Sequence, residues 1–311
     1  MSSIAGTRSK LDVLSAIGNT PLVELKKMNT KAPRVSILGK LEGCNPGGSV
    51  KDRPAYNMIK AAERDGLLGD EKTIIEPTSG NTGIAMIGAA KGYKVKLFMP
   101  ECVSVERQLI LKAFGAEVEL TPAKEATDGS IRMAHRIIEA EPERYFMPNQ
   151  FANPNNPLAH YKTTGPEIFE QTNGEIDYFV AGMGTSGTLM GVGRYLKEKK
   201  PEAKIIGIEP TRGHTIQGLK NMTEAIVPEI YRPEELDEKI TVEDGEAFEA
   251  TRMLATAEGI FVGMSSGAIL AGALKALEHI DSGVVVVILP DRGDRYLSTT
   301  LFRSICAKCP P

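Results

Sequence analysis

A chain of 311 residues with 41% apolar and 25% charged content can bury a large core and reads as a soluble globular protein of two ordinary-sized domains. Its net charge of −3 leaves no basic footprint for nucleic acid, and its longest apolar run, 284–289, is too short to span a bilayer. The opening MSSIAGTRSK lacks the apolar core of a secretory signal, so a cytoplasmic location is expected.

Short β-branched runs alternate along the chain with amphipathic stretches, the pattern of parallel α/β architecture. The spacing predicts a strand at 36–40, a helix at 53–65, a strand at 73–76 and a helix at 83–91. A strand at 94–99, a helix at 105–114, a strand at 117–120 and a helix at 130–141 follow. The segment 148–157, PNQFANPNNP, reads as a linker between two α/β units. Beyond it come strands at 178–181, 204–208 and 284–289, and helices at 188–199, 245–257 and 268–277. The stretch 209–235 is long for a connection, and such loops often carry function. The four cysteines do not form a disulfide framework in a chain this long. Cys306 and Cys309 make a C-x-x-C near the C-terminus. It is either a redox pair or half a zinc site, or, more plainly, a loose tail, since no second pair or nearby histidine completes a zinc set. Cys44 adjoins a motif that works chemically without it, and Cys102, after a strand, reads as structural.

Three times an apolar strand gives way to a loop of glycine and hydroxyl residues and then to a helix. Unpaired backbone N–H groups and the positive helix end meet there, which makes an anion site. In a parallel sheet these loops gather at the carboxyl ends of the strands, where ligands bind. The first loop, 76–83, reads EPTSGNTG; Thr78, Ser79 and Thr82 supply hydroxyls suited to a carboxylate, and a plain capped helix would need only one of them. The second, 182–188, reads GMGTSGT and suits a phosphate, with more glycine than a turn requires. The third, GMSSG at 263–267, is equally well explained as a simple helix cap. One phosphate cradle and one carboxylate cradle suggest a ligand carrying both groups. An amino acid joined to pyridoxal phosphate is such a ligand, and it requires a lysine for the imine.

The run NPGGSVKDR, 45–53, supplies one. Asn45-Pro46-Gly47-Gly48 is a turn, and Lys51 is expected just inside the next helix. The helix dipole and neighbouring Arg53 would there disfavour the ammonium form. Such a lysine can attack an aldehyde and then serve as a general base. Composition alone does not separate Lys51 from Lys60 or Lys72.

NPGGSVKDR, EPTSGNTG, GMGTSGT and DRGDRYLST occur in that order, with IGNTPL at 17–22 and HYKTTGPEI at 160–168. Together they resemble the cysteine synthase (O-acetylserine sulfhydrylase) family of fold-type II pyridoxal-phosphate enzymes, from about residue 14 to about residue 302. The resemblance implies two open, twisted, mostly parallel sheets with flanking helices, as in the tryptophan synthase β-like fold. It implies a smaller domain at 45–152, holding a mobile part at about 85–135, and a larger one formed by 11–44 and 153–311. Lys51 would bear the cofactor as an imine and move the α-proton. Asn81 would bond the ring hydroxyl, Gly184, Thr185, Ser186, Gly187 and Thr188 would cradle the phosphate, and Ser265 would face the ring nitrogen. Thr78, Ser79, Thr82 and Gln150 would hold the substrate carboxylate. The implied reaction replaces the β-substituent of an activated serine by sulfide, giving cysteine.

DRGDRYLST and the short 209–235 loop look more like the B-type members, although Pro290 stands where some of them carry a cysteine, which puts thiosulfate use in doubt. Lys220 stands where phosphoserine-using relatives carry a basic residue. It could pair, together with Arg212, with the phosphate of O-phosphoserine; a solvated loop lysine is the plainer reading. The family implies a homodimer and, for some members, binding of serine acetyltransferase. Three rivals stand beside this, one of them a non-enzymatic binding subunit on the same fold, against which Lys51 and Asn81 argue because a scaffold has no need of them. Cystathionine β-synthase uses the same core motifs with serine and homocysteine. The string Gly182-x-Gly-x-x-Gly187, with Glu209 about twenty residues on, is also the dinucleotide fingerprint of an NAD-dependent dehydrogenase.

Overall fold

The computed structural model describes residues 12–28, 32–78 and 83–302, apart from the side chains of Ile84 and Ala85. Strands β1 (Leu22–Glu24) and β2 (Val35–Leu41) lead to helix α1 (Asp52–Arg64). Then β3 (Thr73–Pro77), α2 (Gly83–Lys91), β4 (Val95–Pro100), α3 (Val105–Ala113), β5 (Glu117–Thr121), α4 (Ala126–Ala140) and β6 (Tyr145–Phe146) alternate. Two short helices, α5 (Asn155–Lys162) and α6 (Thr164–Gln171), come next. The chain continues through β7 (Ile176–Gly182), α7 (Gly187–Lys199), β8 (Lys204–Pro210), β9 (Glu238–Val242), α8 (Asp244–Glu258), α9 (Met264–Ala276) and β10 (Gly283–Leu289).

The strands form two sheets, as expected. One has the order β1-β2-β10-β7-β8-β9 and the other β5-β4-β3-β6. Pairing is parallel throughout, except that β1 runs antiparallel to β2. The run GVVVVIL occupies β10, between β2 and β7, and its last five residues are buried. An unbroken β-branched run fits a strand covered on both faces by helices. The larger sheet has its own core, in which Phe179, Val180, Val286 and Ile269 are fully buried. The smaller sheet has another around Ile74, Leu97 and Ile59.

All seven expected strands and all seven expected helices are present, most with ends shifted by a few residues and α2 at the expected bounds. The sequence reading missed β1, β6, β9, α5 and α6. β1 and β9 lie at the two edges of their sheet and β6 at an edge of the other, where an alternating or largely polar strand leaves little hydrophobic signal. α5 begins inside the Asn- and Pro-rich stretch taken as a linker. Pro157 and Pro166 both sit in a first helical turn, where a missing N–H costs no bond. α9 begins at Met264 rather than 268, so the third glycine–serine run is the helix's first turn and not a loop. A side chain on Gly267 would collide with Thr251 and with the carbonyl of Ala247, so glycine there allows α8 and α9 to pack closely.

Candidate active site

Lys51 is placed by a rigid turn. Gly48 has φ +77°, in the left-handed region that favours glycine. Arg295 Nη2 donates to the Gly47 carbonyl at 2.5 Å, and Gly47 N donates to Asp52 Oδ2 at 2.5 Å. Val50 N donates to Pro290 O at 2.8 Å, and Ser49 bridges Asp291. The tail motif DRGDRYLST is thereby locked against the NPGG turn.

Lys51 caps α1 instead of lying inside it. Burial, which strips water from the ammonium, lowers its pKa from 10.5 to about 8; nearby Asp291 opposes the shift and Arg107 adds to it. Arg53 is not the cause expected. Its guanidinium turns into a buried network, bonding Glu42 Oε2 at 2.7 Å and Glu167 Oε1 at 2.7 Å, while Lys40 Nζ meets Glu167 Oε2 at 2.8 Å. Arg107, on α3, is fully buried, bonds the Tyr296 hydroxyl and lies 3.3 Å from Asp291 Oδ2.

A cavity of about 920 Å³ opens beside Lys51. Gly184, Thr185, Ser186, Gly187 and Thr188 line one end of it, between β7 and α7. Ser186 takes φ +68° at the α7 N-cap, turning successive N–H groups toward one point, and its buried hydroxyl has no hydrogen-bond partner. A Cβ on Gly184 would stand 2.6 Å from the Gly218 carbonyl, so the loop is pressed close to its neighbour. His160, fully buried and held neutral by desolvation, lies 2.9 Å from Thr164 Oγ1 and 3.2 Å from Thr188 Oγ1. Ser265, 3% exposed in the first turn of α9, lines the same cavity.

Thr78 and Gln150 line the cavity as well. Ser79, Asn81 and Thr82 lie outside the described residues, as do Cys306 and Cys309. Gln150 Nε2 donates to Pro77 O at 3.0 Å, and Gln150 N donates to Glu76 Oε1 at 2.9 Å. Glu76 is fully buried, and desolvation pushes its pKa up to about 8 against the pull of the two backbone N–H groups it accepts. Cys102, read as structural, is exposed and borders the cavity.

Lys220 also reaches the cavity, with its Nζ 2.8 Å from Asp128 Oδ1 and 5.1 Å from the centre of the Phe151 ring. It is therefore not the solvated loop lysine of the plainer reading. Arg212, its suggested companion, is exposed and donates to Thr223 Oγ1 at 3.0 Å. The dehydrogenase rival fails at Glu209, which a dinucleotide fold would turn to a ribose. Here it is 3% exposed and accepts Met222 N at 2.6 Å and Lys239 Nζ at 2.8 Å.

Glu76, Asp128, Arg107 and Asn156 were not singled out from the sequence. Only Glu76 carried a signal, as a charged residue ending the apolar strand TIIE directly before a hydroxyl-rich loop.

A phosphate cradle with an unpartnered buried hydroxyl, a desolvated lysine amine and a carboxylate-type contact around one cavity fit pyridoxal phosphate. The fold and site define a pyridoxal-phosphate dependent enzyme, and the family model described as "Pyridoxal-phosphate dependent enzyme" matches residues 13–291. The chain belongs to that family and, within it, to the cysteine synthases. It is 45% identical over 304 residues to a cysteine synthase of Aquifex aeolicus, covering 95% of this chain and 93% of that protein. It is 44% identical over 288 residues to cysteine synthase B of Escherichia coli, covering 92% and 94%. The crystal structure of a cysteine synthase from Entamoeba histolytica superposes with a TM-score of 0.87 at 42% identity, covering 97% of this chain and 94% of that one.

Proposed function

We propose that this protein uses pyridoxal phosphate to replace the β-substituent of an activated serine with sulfide, forming L-cysteine. The observation that carries the reading is Lys51, a half-buried side chain whose desolvated amine has its pKa lowered to about 8, on the same cavity as the glycine loop and Gln150.

When bound, pyridoxal phosphate supplies the electron sink that acidifies the substrate's α-carbon and lets the β-substituent leave. Gly184, Thr185, Ser186, Gly187 and Thr188 hold the phosphate through N–H and hydroxyl donors. Asn81 would hold the cofactor ring by bonding the ring hydroxyl. Ser265, a hydroxyl and not a carboxylate, would face the ring nitrogen and would not stabilise a proton there. Thr78, Ser79, Thr82 and Gln150 fix the substrate carboxylate and so direct the α-hydrogen toward Lys51. The Lys51 amine takes that proton and returns it after the sulfur nucleophile has added to the β-carbon. A mobile part at about 85–135, within a smaller domain at 45–152 that adjoins a larger one of 11–44 with 153–311, would close over the substrate and exclude water.

The leaving-group end favours O-acetylserine over O-phosphoserine. Lys220, the charge that would attract a phosphate, is already paired with Asp128, and Glu224 borders the same space. The protein is expected to work as a cytoplasmic homodimer. No helix among the described residues is long and apolar enough to cross a membrane.

Product analysis tests the assignment. O-acetylserine, O-phosphoserine and serine are each offered sulfide, thiosulfate and homocysteine. Cysteine from O-acetylserine and sulfide is expected as the fastest reaction. Cystathionine from serine and homocysteine as the main product would replace this reading with the cystathionine β-synthase one.

A further inference from the structure

Two halves of the cavity come from different sheets, and one buried side chain touches both. Asn156, in the first turn of α5, is 1% exposed and does not line the cavity. Its Nδ2 donates to the Gln150 carbonyl at 2.7 Å and to Thr185 Oγ1 at 3.1 Å. Its Oδ1 lies so near Gly187 that a side chain there would collide with it. One amide thus spans the carboxylate-side residue and the glycine loop.

The chemistry at each end has a direction. Thr185 Oγ1 accepts from Asn156 Nδ2 and, over 3.4 Å, from Gly187 N. A hydroxyl has two acceptor sites and one proton. With both acceptor sites used by the protein, the proton is left for an anion in the cradle. At the other end the Asn149–Gln150 turn is held from behind. Glu76 Oε2 accepts Asn149 N at 2.8 Å while Oε1 accepts Gln150 N, and Asn149 takes φ +53°. Glu76 fixes the turn to the end of β3, and Asn156 fixes the turn to the glycine loop.

We infer that Asn156 is a positioning residue that couples the two subsites: it sets the spacing between the phosphate cradle and the Gln150 contact and aims the Thr185 proton. A ligand that fills both ends at once feels this coupling. This inference rests on the site holding pyridoxal phosphate and an amino acid together.

The test uses L-alanine, which has no β-leaving group, as an unreactive amino acid added to the holoenzyme. Its affinity is read from the visible spectrum, and the cofactor phosphate is read by ³¹P NMR. In the wild type alanine is expected to move the phosphate resonance. In Asn156→Ala the alanine Kd is expected to rise about tenfold, the size of an ordinary coupling between sites, and the resonance to lose at least half of its response. Asn156→Asp keeps the contact with Gly187 while removing both donated bonds, and reads the same if the alanine variant fails to fold. A folded variant with wild-type alanine affinity and an undiminished phosphate response would overturn the inference, because a purely structural asparagine changes only the melting temperature. A wild-type holoenzyme blind to alanine would instead overturn the reading of the site.

Discussion

Lys220 Nζ lies 2.8 Å from Asp128 Oδ1, and the other oxygen of the same carboxylate accepts the backbone N–H of Ile226 at 2.9 Å. Asp128 belongs to α4, beside the small sheet, whereas Lys220 and Ile226 belong to the connection after β8. One carboxylate therefore ties the two sides of the cavity together and pairs with the Lys220 cation that lines it.

Asp128→Asn removes that neutralisation and leaves the Lys220 charge to the cavity. The ratio of kcat/KM for O-phosphoserine to that for O-acetylserine is expected to rise about three- to tenfold, the change that about 1 kcal/mol of altered charge interaction produces. Lys220→Ala should move the ratio the opposite way. Steady-state kinetics with both donors measures it. An unchanged ratio in both variants would remove Lys220 and Asp128 from donor selection.

Lys51→Ala removes the amine proposed to hold the cofactor and move the proton. Turnover is expected to fall at least about 10²- to 10⁴-fold, the usual contribution of a positioned general base. Borohydride treatment should leave a stable adduct at residue 51 in the wild type, detected by peptide mapping. Uptake of pyridoxal phosphate by the cofactor-free protein needs the neutral amine. With the pKa lowered to about 8, uptake should increase with pH and level off above that value, not near 10.5. Stopped-flow absorbance across pH 6 to 10 reads the midpoint.

The network of Glu42, Arg53, Glu167 and Lys40 should be costly to break. Arg53→Met leaves Glu42 fully buried with one less cation, and a loss of about 3–5 kcal/mol is expected in urea denaturation. Acid weakens the same network. Burial would raise the Glu167 pKa, but Arg53 and Lys40 outweigh it and hold it down at about 2. A carboxylate depressed on folding stabilises above its unfolded value of 4.5, and that contribution fades as pH falls from about 4.5 to about 2.

Gly83→Ala probes the contact of α2 with the lysine turn. A methyl on Gly83 would stand 2.5 Å from Asp52 Cα and 2.7 Å from Lys51 O, backbone atoms that cannot swing aside. The variant should lose about 1–3 kcal/mol of stability and show a lower kcat, because the turn bearing Lys51 must move. Thermal melting and initial rates check both, and a wild-type kcat would show that the turn tolerates the shift.

The motifs were legible in the sequence because each is local. A glycine loop between a strand and a helix announces an anion site wherever it folds. So GMGTSGT was readable without coordinates, and so was the lysine turn NPGGSVK. The edge strand β9 and the proline-containing helices α5 and α6 were not, since neighbours and not local periodicity make them what they are. The source of the lysine's lowered pKa was misread for the same reason. Arg53 is two residues from Lys51 in sequence but faces a different set of partners.

By itself the sequence determined the alternation of strands and helices and the glycine- and hydroxyl-rich loops between them, since periodicity and turn chemistry act over a few residues, whereas Lys51 stands out only through the resemblance of its motif to a family. Tertiary structure alone decided what lies behind those groups. Asp128 facing Lys220, Glu76 behind Gln150 and Asn156 reaching Thr185 are pairings across 92, 74 and 29 residues. They depend on which elements the two buried cores bring together, and no local pattern encodes that.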